Sequence, residues 1–183
     1  TGTPFEANGK SQTKVFIDSC WCEETNEYNN LIYERSRLRQ LEEILVDEQK
    51  EKGNSYCCYC MRKLQGSTLE HVITQKVNNQ EDFSKYFEIE SELDKQNIIL
   101  ETEFLNNPKD VPPFPHTVAY ENLIPSCSGY LASSRPKSCN NYRGDRFIQP
   151  LIFRKNIHNE IKYKKDGSVE WIKEEADIPT VIS

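Results

Sequence analysis

Tyr56-Cys57-Cys58-Tyr59-Cys60-Met61-Arg62-Lys63 sets two thiols, Cys57 and Cys60, three positions apart, in a segment that reads as a turn or strand and not as a helix. A tight turn can aim two such thiolates at one zinc ion, and the same spacing also suits a redox dithiol. A second pair follows far downstream: Cys127 and Cys139, separated by a stretch that contains Gly, Ser and Pro. That spacing is a weaker metal signal, but a loop of this length closes at little extra entropic cost. Four thiolates on one zinc would add about 10 kcal/mol to folding. The chain has use for it, since only 36% of its 183 residues are hydrophobic. Of the remaining three cysteines, Cys58 points away from the pair and packs, and Cys20 and Cys22 flank Trp21 as packed thiols without a partner pair.

Outward from this segment the pattern is mixed. Ser67 to Gln75 (STLEHVITQ) mixes β-branched and polar residues and predicts a short strand. Leu31, Leu38, Leu41, Ile44 and Leu45 recur at helical spacing and predict an amphipathic helix over about 30–52, stopped by Gly53. Residues 1–20 read as a loop with a short strand at Val15-Phe16-Ile17. Residues 81–110 are strongly acidic, with Lys85, Lys95 and Lys109 as their only bases, and have room for a helix. Val111-Pro112-Pro113-Phe114-Pro115 is a stiff connector. Residues 121–155 turn basic, and a short helix is expected from Asn140. Ile161-Lys162-Tyr163 and Val169-Glu170-Trp171-Ile172 flank Asp166-Gly167, a hairpin signal.

These patterns exclude several classes. No apolar run approaches the ~20 residues of a membrane helix. The N-terminus has neither a basic nor an apolar signal region, so a reducing cytoplasm is the expected location, where clustered cysteines speak for metal over disulfides. A net charge of −6 argues against coating nucleic acid by charge alone.

Interleaved with the cysteine pairs are Glu70-His71, then Asn122-Leu123 ahead of Cys127, then Asn140 directly after Cys139 with Arg143 three residues on. In this order the chain resembles the HNH endonucleases of the ββα-metal fold. More narrowly, over roughly 38–172, it resembles the HNH subunits of Septu and retron anti-phage systems, which work beside an ATPase. The resemblance implies an α+β protein: an HNH core over 55–155 with an acidic insertion at 81–110 and a Cys57, Cys60, Cys127, Cys139 zinc site. An N-terminal extension and helix over 1–54 would precede it and a C-terminal hairpin over 156–183 would follow. It implies His71 as general base with Asn122 holding its imidazole, and Glu70 and Asn140 as ligands of a catalytic Mg²⁺ or Mn²⁺, with Asn140 counted among the catalytic residues. Arg143 would pair with a phosphate oxygen. The implied partners are an ATPase subunit and a nucleic acid, DNA in preference to RNA, with no membrane. A docking surface is expected in the acidic 81–110 region or the N-terminal helix.

The residue types suit hydrolysis of a phosphodiester. A neutral imidazole accepts a proton from water near pH 7, and hard divalent cations prefer oxygen ligands. Asn141 is the adjacent alternative to Asn140, and Asn140 itself could serve as a helix cap. Arg135 and Lys137 read as a solvated loop, and His116 and His158 as structural. Two other functions remain open: a zinc-stapled adaptor that binds but does not cut, and a thiol–disulfide protein using Cys57 and Cys60.

Overall fold

The structure, a computed structural model, describes residues 3–28, 31, 37–50, 52–128, 139, 143–144, 146–154, 159–165 and 169–172. Helix α1 spans Pro4–Asp18, where a loop and short strand were expected. Its start is well specified: Thr3 caps it by accepting the Glu6 N–H at 3.1 Å, and Pro4 occupies the first turn. Gly9, Thr13, Phe16 and Ile17 form its buried stripe. That stripe rests on residues 118–121. A Cβ on Gly9 would come within 2.1 Å of the Tyr120 ring, so only glycine lets the ring lie against the helix. Thr13 Oγ1 donates to the Val118 carbonyl at 3.3 Å, and Lys10 pairs with Glu121 at 2.9 Å.

Strands β1 (Trp21–Cys22) and β2 (Glu27–Tyr28) pair antiparallel as a small hairpin. Helix α2 spans Arg39–Glu48, shorter than the periodicity predicts. Leu38, Leu41 and Leu45 are buried as expected. Gly53 is left-handed, as a cap would be, but the helix has already ended at Glu48. The Tyr120 hydroxyl donates to Glu48 and so ties α2 to the same segment that α1 covers.

The cysteine turn is a tight hairpin. Leu64 N–H donates to the Ser55 carbonyl, Cys57 N–H to that of Arg62, and Met61 N–H to that of Cys57, all within 2.9 Å. Strand β3 (Thr68–His71) follows, then α3 (Gln80–Ile89), β4 (Ile98–Ile99) and α4 (Glu101–Asn106). The acidic stretch therefore holds two helices. Strand β5 (Phe114–Pro115) runs parallel to β4. After a 3-10 turn at Tyr120–Asn122 comes β6 (Leu123–Ser126), antiparallel to β3 with Glu70 opposite Ile124 and His71 opposite Leu123. A second 3-10 turn covers Leu151–Phe153. Strands β7 (Ile161–Tyr163) and β8 (Val169–Trp171) pair antiparallel as the hairpin signal requires; the Asp166-Gly167 turn itself lies outside the described residues.

The architecture is mixed α+β, with small two-stranded sheets. The core gathers Phe16 from α1, Leu41 from α2, Phe104 from α4 and Ile124 from β6, with Ile73 from the segment after β3 and Val118 from the segment after β5. Among the described residues no helix is long and apolar enough to cross a membrane.

Candidate metal centre and active site

The two cysteine pairs meet. The sulfurs of Cys57, Cys60, Cys127 and Cys139 all lie within 4.8 Å of one another. Four sulfurs about 2.3 Å from one zinc ion sit about 3.8 Å apart along a tetrahedral edge, and Cys60 and Cys127 are 3.9 Å apart. A disulfide would need about 2.05 Å. All seven cysteines lie among the described residues, and none of them is in a disulfide. Crowding splits the titration of the four: proton sharing pushes Cys57 down and Cys127 down to about 7, and pushes Cys60 and Cys139 up. Four thiolates at this range repel one another unless a cation sits between them. The donor set fits a structural metal such as zinc, and a Cys57–Cys60 redox pair would leave Cys127 and Cys139 without a role. Cys58 is buried, as expected of a packed thiol, and lies outside the four-sulfur group although its thiol stays beside that of Cys57; its N–H donates to the Pro125 carbonyl at 3.2 Å, joining the turn to β6.

Glu70 and His71 sit at the end of β3, both only 7% exposed. The His71 Nε2 lies 2.8 Å from the Thr117 carbonyl. A carbonyl only accepts, so Nε2 carries the proton and Nδ1 carries the lone pair. The Gln75 amide nitrogen is 3.2 Å from both ring nitrogens. A group equidistant from both lies over the ring face, not along the Nδ1 lone pair. Burial holds the imidazole down to about 4, opposed by the Thr117 carbonyl and helped by nearby positive charge, so it is neutral at pH 7.

Asn122 is fully buried, but its amide does not hold the imidazole as expected. Its Oδ1 accepts the Ile73 N–H at 2.6 Å, and its Nδ2 donates to the carbonyls of Ile73 at 2.9 Å and His116 at 2.6 Å. The peptide groups beyond β3 need partners once buried, and Asn122 supplies them. The Thr117 backbone carbonyl orients the ring instead.

The geometry also corrects the expectation for Arg143. Its side chain is 2% exposed and faces inward. Nε donates to the Arg146 carbonyl at 2.9 Å, Nη1 to the Glu70 carboxylate at 3.2 Å and to the His71 carbonyl, and Nη2 to the Val72 carbonyl at 2.8 Å. The guanidinium is a clamp on the end of β3 and is not displayed to a phosphate. Burial raises Glu70 to about 7, with Arg143 opposing that rise.

No family profile, curated protein or solved structure matches the chain. Asn140 and Asn141 lie outside the described residues, as do Arg135, Lys137 and His158. Of the two expected divalent-ion ligands, then, only Glu70 is described, and it is engaged by Arg143. Sequence reasoning passed over Thr117 and Gln75 and set His116 aside as structural. His116 is buried and accepts the Glu101 N–H on Nδ1 at 3.1 Å, linking α4 to the loop that orients His71. A polar His-Thr pair inside the apolar run Phe114 to Tyr120 was the available signal.

Proposed function

We propose that the chain is a metal-dependent HNH endonuclease that hydrolyses nucleic-acid phosphodiester bonds, DNA in preference to RNA. We propose further that it is the effector of an ATPase-coupled anti-phage complex. The observation that carries the reading is the His71 imidazole: neutral, at the end of a β3–β6 antiparallel pair, with Nε2–H fixed by the Thr117 carbonyl. That tautomer leaves Nδ1 as the atom that takes a proton from water. Asn122 braces the backbone at Ile73 and His116 and so acts by positioning. A divalent ion held by Glu70 and Asn140 would supply Lewis-acid stabilisation of the phosphate and the leaving oxygen. The Cys57, Cys60, Cys127, Cys139 site would hold a structural zinc. Partner, substrate and defence role follow from the sequence resemblance, with the acidic 81–110 region or the amphipathic helix expected over about 30–52, of which α2 is part, as docking surface.

A second reading, the non-cutting zinc-stapled adaptor, is favoured by one observation: Glu70 is already closed off by Arg143. The two readings differ at His71. Wild type and His71→Ala are compared on DNA and RNA with Mg²⁺ or Mn²⁺, with and without the ATPase. The nuclease reading expects cleavage lost in the variant while zinc content stays at one per chain. Equal cleavage by both proteins would remove His71 from catalysis, and no cleavage by either favours the adaptor.

A further inference from the structure

The β1–β2 hairpin and the end of α4 enclose a cleft of about 540 Å³, lined by Trp21, Asn26, Glu27, Tyr28, Leu105 and Pro108. Its aromatic wall is anchored to the core. Trp21 packs edge-on against Tyr28 with centroids 4.8 Å apart, and Tyr28 packs against the fully buried Phe104 at 5.3 Å. Yet Trp21 and Leu105 remain 37% and 41% exposed. A rigid, exposed tryptophan loses little freedom on binding, which is why tryptophan and tyrosine dominate the energetics of protein interfaces.

The surroundings select the partner by charge. The hairpin loop exposes Glu23, Glu24 and Glu27 with no basic residue between Cys20 and Tyr28. Asp18 and Asp110 lie close enough to Tyr28 to act on its phenol. Of the nearby bases, Lys14 is committed to Asp18 at 2.9 Å, and Lys109, between Pro108 and Asp110, is outnumbered by Asp18, Glu23, Glu24, Glu27 and Asp110. An acidic rim repels a phosphate polymer. It suits an arginine, whose guanidinium stacks on tryptophan and pairs with carboxylates.

We propose that this cleft docks an arginine-bearing segment of a partner protein, with an apolar neighbour of that arginine seated between Trp21 and Leu105. The proposal does not depend on the nuclease reading and needs no catalytic residue; of the acidic 81–110 stretch it uses only the last part, Leu105, Pro108 and Asp110, together with the β1–β2 hairpin.

A phage-displayed random dodecapeptide library, panned on the intact chain and followed by fluorescence polarisation with the selected peptides, tests it. The expected result is a consensus with arginine beside leucine or another apolar residue. Binding should weaken about tenfold or more in Trp21→Ser and in the double variant Glu27→Lys, Asp110→Lys. The double variant leaves the aromatic wall intact, so it decides the matter if Trp21→Ser fails to fold. No enrichment, peptides without basic residues, or undiminished binding to the charge-reversed protein overturns the proposal. So does a dimer in sedimentation that Trp21→Ser dissociates, because the occupant would then be a second copy of the chain.

Discussion

Replacing Arg143 with methionine separates a clamp from a phosphate contact. The side chain lost is 2% exposed and its carboxylate partner Glu70 is 9% exposed. Methionine keeps much of the aliphatic volume, so the change is mainly electrostatic. It strands the Glu70 carboxylate and leaves the carbonyls of His71, Val72 and Arg146 without the donor they now share. Breaking a buried ion pair from one side costs about 3–5 kcal/mol. In a chain of this size each kcal/mol moves the melting point about 2–4 °C, so a fall of roughly 6–20 °C is expected. The deficit should depend on pH. Without the guanidinium, Glu70 folds more readily as the neutral acid, so the variant loses stability as pH rises through 7. A companion Glu70→Gln change in the Arg143→Met background should recover part of the loss, since it removes the stranded charge. Urea denaturation of the four proteins of this cycle, at pH 5.5 and pH 8, gives the coupling directly. A single-variant loss under about 1 kcal/mol, the value of an exposed pair, would refute the clamp. It would mean that the guanidinium is free to meet a phosphate.

Three further outcomes are expected. Cys57→Ser and Cys139→Ser should each lose bound zinc by elemental analysis and melt at lower temperature, because each removes a quarter of the thiolate set. Gly9→Ala should destabilise the protein by about 1–3 kcal/mol in thermal denaturation, through the collision with the Tyr120 ring; the same change on an exposed helix face would gain up to about 1 kcal/mol. Glu90 is 1% exposed, has one oxygen without a partner among the described residues, and is raised by burial from 4.5 to about 7. Its neutral form is favoured in the fold, so the stability it contributes is present below pH 4.5 and lost as pH rises through 7. Glu90→Gln should match wild type at pH 4 and exceed it by roughly 1 kcal/mol at pH 8, after allowance for solvent screening, which a pH series of urea melts measures.

What was legible in the sequence is what rests on spacing. Cys57 and Cys60 with Cys127 and Cys139, the strand within Ser67–Gln75 and the late hairpin all appear at the expected places. Helix α1 was not read, because Val15-Phe16-Ile17 suggested a strand and half of the buried stripe is Gly9 and Thr13. Its cap was on the page nonetheless: Thr3-Pro4-Phe5-Glu6 combines an N-cap threonine, a first-turn proline and an acid three residues on. The roles of Asn122 and Arg143 were misread for a different reason. Spacing places a side chain in a neighbourhood but does not say which way it turns, and the demand that turned both came from buried backbone groups near residues 71–73. Thr117 acts through its carbonyl, which every residue carries, so the polar His116-Thr117 pair in an apolar run marks the place but not the role.

Two braces converge on the end of β3: Arg143, four residues after Cys139, and Asn122, five residues before Cys127. Each brace therefore hangs from a cysteine of the cluster, while Cys58 between the other two ties its turn to Pro125 of β6. From the opposite side α1 presses on residues 118–121 through Gly9, Lys10 and Thr13, steadying the segment whose Thr117 carbonyl orients His71. A metal at the four sulfurs would thus do more than add stability to a chain of low apolar content. By fixing Cys127 and Cys139 together it would fix where both braces begin, and with them the peptide groups on either side of His71. Closure of Glu70 by Arg143 follows from the same arrangement: the carboxylate lies where the clamp must pass to reach the carbonyls of His71 and Val72. In this fold the acidic residue beside His71 is then first a structural counter-charge, and any part it takes in holding a divalent ion must be shared with the guanidinium.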